Sequence, residues 1–152
     1  MIGGQDITKQ FLVIKALESM KRGRGIGDSR LPVSITLLRK ILMILPSVCA
    51  DLYEVKLFRA AFTIAFFGLF KIGELTCSKG NDIDNILAVD DIVIDSSLSV
   101  MKVTLRHSKT DQWGKGITVT IPSINDNVCA VYHMAQFLVS RPGAIGPVFL
   151  SF

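Results

Sequence analysis

Met101-Lys102-Val103-Thr104-Leu105-Arg106 alternates apolar and polar residues, and Ile117-Thr118-Val119-Thr120-Ile121 repeats the pattern after a polar interval. A period of two is that of a β-strand with one face buried. Ile92-Val93-Ile94 supplies a third short apolar stretch, so the reading is a small antiparallel sheet whose last two strands are joined by a long loop over 107–116. Upstream the period changes. From 52 to 70 the main polar residues are Glu54, Lys56, Arg59 and Thr63, and the last three sit at i, i+3 and i+7. That spacing predicts a central, mostly buried helix with one narrow wet stripe.

Three more helices are expected. Ser34 is a plausible N-cap for a helix over 34–45, with Ile35, Leu38, Ile41 and Leu42 as its apolar stripe and Pro46 as its stop. A helix over 125–140 turns Val128, Val131, Tyr132, Ala135, Leu138 and Val139 inward and leaves His133 facing solvent, with Pro142-Gly143 ending it. A helix over 8–22 carries Phe11, Ile14 and Leu17 and ends on Lys21-Arg22, a basic end suited to the helix dipole. The following 23–30 stretch mixes three glycines with two arginines and reads as a flexible basic linker. The expected class is α+β, mainly helical, with a small three-stranded antiparallel sheet.

Composition narrows the function without naming it. The chain has 152 residues, 49% hydrophobic, enough for one sizeable core. Seventeen Lys and Arg against thirteen Asp and Glu leave a net charge of +4, which permits a polyanionic partner. Cys49, Cys77 and Cys129 are odd in number and far apart, so they read as reduced core residues rather than a disulfide framework or metal ligands. Mean hydropathy is +0.45, yet the apolar run over 60–70 is about half of the ~20 residues a membrane span needs. The N-terminus lacks the features of a signal peptide, so an intracellular location is expected, the nucleus included.

Two local patterns sharpen this. Phe66-Phe67-Gly68-Leu69-Phe70-Lys71-Ile72-Gly73-Glu74-Leu75 resembles the segment of tyrosine recombinases (the phage-integrase type) in which an apolar helix ends at a turn bearing Arg-x-x-Glu-Leu. His107-Ser108-Lys109-Thr110, just after a strand, is similar to the place where that family carries its catalytic lysine. More loosely, 1–24 resembles the end of the family's helical core-binding domain plus a basic linker. By the same likeness 25–152 is the front of its catalytic domain, the core of a DNA breaking-rejoining enzyme. The run Arg30-Leu31-Pro32-Val33 with the later Leu57-Phe58-Arg59-Ala60-Ala61-Phe62 is most similar to integrases of eukaryotic retroelements.

The resemblance implies DNA recombination and integration through a phosphotyrosyl intermediate, with no cofactor and no metal. Catalytic positions would be Lys71, where the family has a phosphate-gripping arginine, and Lys109, a general acid toward the departing 5′ oxygen. Lys71 is a departure with consequences, because an ammonium lacks the planar fork of a guanidinium. Glu74 would be structural, orienting the turn. Arg22, Arg24, Arg106 and Lys115 would contact duplex DNA, mainly its backbone. Trp113 reads as a cap on the sheet edge, the alternative being a platform that stacks on a nucleotide. Family members continue with a His-x-x-Arg box and a nucleophilic tyrosine. Neither His107 nor His133 has an arginine three places on, and Tyr53 and Tyr132 lie on predicted helices. Seen this way the chain is truncated, and this chain alone is expected to be inactive as a strand-exchange enzyme. The alternative is a helical protein-interaction module that self-associates and has no DNA function.

Overall fold

The computed structural model describes residues 32–76, 86–106 and 116–149. The expected 8–22 helix and the 23–30 linker therefore lie outside the described residues, as do Cys77 and the 107–115 loop.

Helix α1, Ile35–Val48, starts where Ser34 holds an extended backbone and its Oγ accepts the Leu37 N–H at 3.2 Å. Leu38, Leu42 and Leu45, at helical spacing, form its buried face. Contrary to the expected stop at Leu45, the helix runs through Pro46 to Val48. Proline removes the N–H that would have met the Leu42 carbonyl. Arg59 Nη2 approaches that oxygen instead, at 3.5 Å, and the Cys49 N–H closes the last turn on the Leu45 carbonyl.

Helix α2, Leu52–Gly68, is capped reciprocally. Asp51 Oδ1 accepts the Glu54 N–H at 2.8 Å, and Glu54 Oε2 accepts the Ala50 N–H at 2.6 Å. This helix is central, packing against α1 and α3 (Ile72–Leu75), against the last strand of the sheet, and against α4 (Ala130–Ser140). The expected wet stripe is only partly wet, with Lys56 and Arg59 half-buried. Thr63 is fully buried, its hydroxyl donating to the Arg59 and Ala60 carbonyls, while Lys56 Nζ donates to Ser140 Oγ at 2.6 Å. A hydroxyl satisfied inside its own helix needs no water, so spacing alone misjudged the stripe.

The strands are β1 Ile92–Ile94, β2 Val100–Leu105 and β3 Ile117–Pro122, antiparallel in the order β1-β2-β3. Ile94 pairs with Met101, Met101 with Ile121, and Leu105 with Ile117, so the alternation read in the sequence sets the register. Met101 and Val103 are fully buried and Lys102 between them is exposed. The fold is thus α+β and mainly helical, with four helices among the described residues. Its larger core joins α2, α3, the sheet and α4 through Ile64, Leu75, Met101, Val103, Met134 and Phe137. A smaller one seats α1 on α2 through Leu38, Leu42, Leu45, Val55 and Val128. Each of these side chains contributes about 1.5–3 kcal/mol on full burial.

Helix α4 begins at Ala130, not at 125, and shows a different face from the one expected. Asp126 turns the chain before it, accepting the Val128 N–H on Oδ1 and the Cys129 N–H on its carbonyl. His133 is buried and Tyr132 exposed, with Val139 89% exposed, while Val131, Met134 and Phe137 point inward. His133 is satisfied by the Asn127 carbonyl at 2.8 Å, so its Nε2 carries the proton. Burial, reinforced by the Arg59 charge, pushes its pKa below the ordinary value, and the Asn127 bond only partly opposes this.

Beyond α4 the chain folds back on itself around Arg141. This buried guanidinium donates to the carbonyls of Gly143, Ile145, Pro147 and Val148. The loop so formed pairs with 86–89 through Val148 N–H to the Leu87 carbonyl at 2.8 Å, and Phe149 bridges Thr76. Of the cysteines described, Cys129 is buried as expected. Cys49 is only half-buried, and burial, with Glu54 and Asp51 beside it, pushes its thiol up to about 11.

Candidate functional site

Lys71 owes its position to the way α2 ends. Leu69 adopts a left-handed backbone, φ 54°, and both its N–H and that of Phe70 donate to the Ala65 carbonyl. The reversal folds the Phe70 ring under the helix, where it passes so close to Gly68 that a Cβ there would lie 2.2 Å from it. Phe70 is buried and the next residue, Lys71, is thrown out to solvent. Glu74 Oε2 accepts the Lys71 N–H at 2.8 Å, and the Glu74 N–H donates to the Lys71 carbonyl at 2.9 Å. The turn is therefore held by its main chain and one carboxylate, leaving the lysine side chain no part in closing it. Leu75, one residue on, is 1% exposed and anchors α3 in the core.

A second cation stands where β2 ends. Arg106 Nε donates to Asp91 Oδ1 at 2.8 Å, and Asp91 Oδ2 accepts the Ala88 N–H at 2.9 Å. Asp91 is 8% exposed, whereas half of the Arg106 side chain is open. A buried carboxylate bonded on both oxygens fixes the arginine at its Nε. The two cations are linked through the segment between them, because the Leu87 N–H donates to the Glu74 carbonyl at 3.4 Å and Leu87 adjoins Ala88. One run of bonds thus passes from the Lys71 turn through Glu74, Leu87, Ala88 and Asp91 to Arg106.

Of the residues singled out in the sequence, Lys71, Glu74 and Arg106 are brought onto this seam. Lys109, Lys115, Trp113, Arg22 and Arg24 lie outside the described residues. Sequence reasoning missed Asp91. Its one signal was the Asp90-Asp91 pair directly before a strand, which does not say which carboxylate turns inward. Among the described residues no group of three or more His, Cys, Asp or Glu could hold a metal ion, and no helix is long and apolar enough to cross a membrane.

Comparison of the chain with protein-family models, curated proteins and solved structures finds no match.

Proposed function

We propose that the chain carries the front part of a tyrosine-recombinase-type catalytic domain and holds the sugar-phosphate backbone of duplex DNA without cutting it. The observation that supports this reading best is the bonded seam between the Lys71 turn and Arg106. Lys109 follows Arg106 by three positions in the sequence. The chemistry proposed is electrostatic. Lys71, Arg106 and Lys109 neutralise backbone phosphates, and an ammonium at Lys71 supplies charge without the bidentate clamp that cleavage requires. No nucleophile is assigned in this reading. Tyr53 packs against Phe137 with ring centroids 5.8 Å apart, and Tyr132 lies on α4, which takes no part in the seam.

The test is fluorescence anisotropy on a labelled duplex across a salt series. Log affinity should fall linearly with log salt at about −0.9 per phosphate neutralised, and Lys71→Ala and Lys109→Ala should each reduce the slope by about 0.9. A salt-independent signal, or slopes unmoved by both substitutions, would refute DNA binding through this seam. A nicked duplex incubated with the chain should yield no covalent adduct.

A second reading is a helical interaction module that self-associates. Light scattering separates the two, since DNA-indifferent oligomers fit only the second.

A further inference from the structure

Away from the seam, α1, α2 and the start of α4 enclose an open cleft of about 650 Å³. Its walls include Leu42 and Met43 from α1, Ile124 and Asp126 from the loop before α4, and Tyr132, with Arg59 of α2 among them. A volume of this order suits a small organic ligand. The charges around it do not cancel. Asp126 is paired with Arg39 at 2.5 Å, and that guanidinium holds its carboxyl below the usual range. His133 is kept neutral by burial. Arg59, by contrast, has no carboxylate partner among the described residues. Its Nη2 makes one long bond of 3.5 Å to the Leu42 carbonyl, and its Nε is buried with no acceptor among the described residues. An Nε buried without an acceptor is unfavourable, and the partly exposed remainder of this side chain lines the cleft, where an anion can meet it.

We propose that this cleft binds a monocarboxylate with an apolar body, the carboxylate on the guanidinium of Arg59 and the body against Leu42, Met43 and Ile124. The arginine fork matches the two oxygens of a carboxylate. One uncompensated positive charge calls for one negative charge, which disfavours a doubly charged phosphate monoester. Met43 is 72% exposed at the rim and gives the apolar body a flexible surface to settle on. The carboxylate has two chemical sources, a free small acid or the C-terminal residue of a peptide. This inference is independent of the DNA reading and stands or falls without it.

The experiment is calorimetric titration and thermal shift on the full chain with N-acetyl-leucine, its uncharged amide, a pentapeptide ending in leucine, that peptide's C-terminal amide, and inorganic phosphate at matched ionic strength. N-acetyl-leucine should bind saturably in the millimolar range usual for so small a ligand, and its amide at least tenfold more weakly. Arg59→Met should abolish binding. Because Arg59 packs between helices, Met43→Glu serves as the second variant. It lies at the exposed rim, leaves the core untouched, and should weaken binding at least tenfold by setting a like charge beside the ligand. A peptide that binds more tightly than N-acetyl-leucine and loses this on amidation identifies a protein C-terminus as the source, whereas equal affinities identify a free acid. The proposal is overturned if acid and amide bind alike, if phosphate binds more tightly than N-acetyl-leucine, if Met43→Glu leaves affinity unchanged, or if no carboxylate binds saturably.

Discussion

Replacing Arg141 by methionine should cost the fold about 3 kcal/mol. Methionine keeps most of the apolar stem, so the loss comes from the guanidinium and its four carbonyl acceptors. These acceptors are not equal. Ile145 is 79% exposed and Gly143 is exposed, so water can replace the arginine at their carbonyls. Val148 is 1% exposed and Pro147 half-buried, so their carbonyls would be left largely unsatisfied, at about 1–3 kcal/mol each. Partial relaxation and water entry bring the sum to about 3 kcal/mol. Arg141→Lys, which keeps the charge but cannot span the loop, should lose about half as much. In urea, with a slope of about 2 kcal/mol per molar, the midpoint for Arg141→Met should fall by about 1.5 M. A midpoint within about 0.3 M of the parent would refute the view that this arginine organises the loop over 142–149.

His133 gives a pH signature. Its folded-state pKa is depressed below the ordinary 6.5, so unfolding takes up a proton. Stability is complete above about pH 6.5 and falls as the pH drops through the ordinary histidine range, by at most about 1.4 kcal/mol per pH unit. Urea midpoints between pH 7.5 and 5 should show this decline and His133→Gln should flatten it, while an equal slope in both proteins would refute the assignment. The α2 terminus gives a pair of opposite signs. Gly68→Ala should destabilise by about 1–3 kcal/mol, because the added Cβ meets a buried ring that cannot swing away. Leu69→Gly, which removes a side chain from a left-handed backbone, should stabilise by about 0.5–1 kcal/mol, and thermal denaturation of both variants checks the signs.

The sheet was legible because strand alternation is local. Each apolar residue of β2 and β3 declares its face two positions from the next, and no distant group had to be known. Ser34 was legible for the same reason. What escaped depended on partners far along the chain. Pro46 is tolerated inside α1 because it sits in the last turn and because Arg59, on another helix, approaches the orphaned carbonyl. Thr63 is buried because its hydroxyl bonds within its own helix, which a count of polar residues cannot register. The face of α4 was misjudged because His133, left outside as a polar residue, is satisfied by the Asn127 carbonyl and so can be buried. On the seam, Lys71 and Glu74 were readable from a motif, but Asp91 acquires its part only when β1 and β2 pair and bring Arg106 beside it.

The described residues contain four arginines, and the way each is satisfied separates structural from functional charge. Arg141 is enclosed by carbonyls of its own loop, and Arg39 meets Asp126 across two elements. Arg106 is held at its Nε by Asp91, with half of its side chain open. In these three the local fold supplies acceptors in proportion to burial, as the cost of removing a guanidinium from water requires. Arg59 breaks the proportion, with a buried Nε that meets no acceptor among the described residues and one long bond elsewhere. Filling its place with an apolar residue of similar volume would remove that penalty at no loss of a native ion pair. A charge kept where an apolar side chain would fit better points outward, to an acceptor that the described residues do not supply.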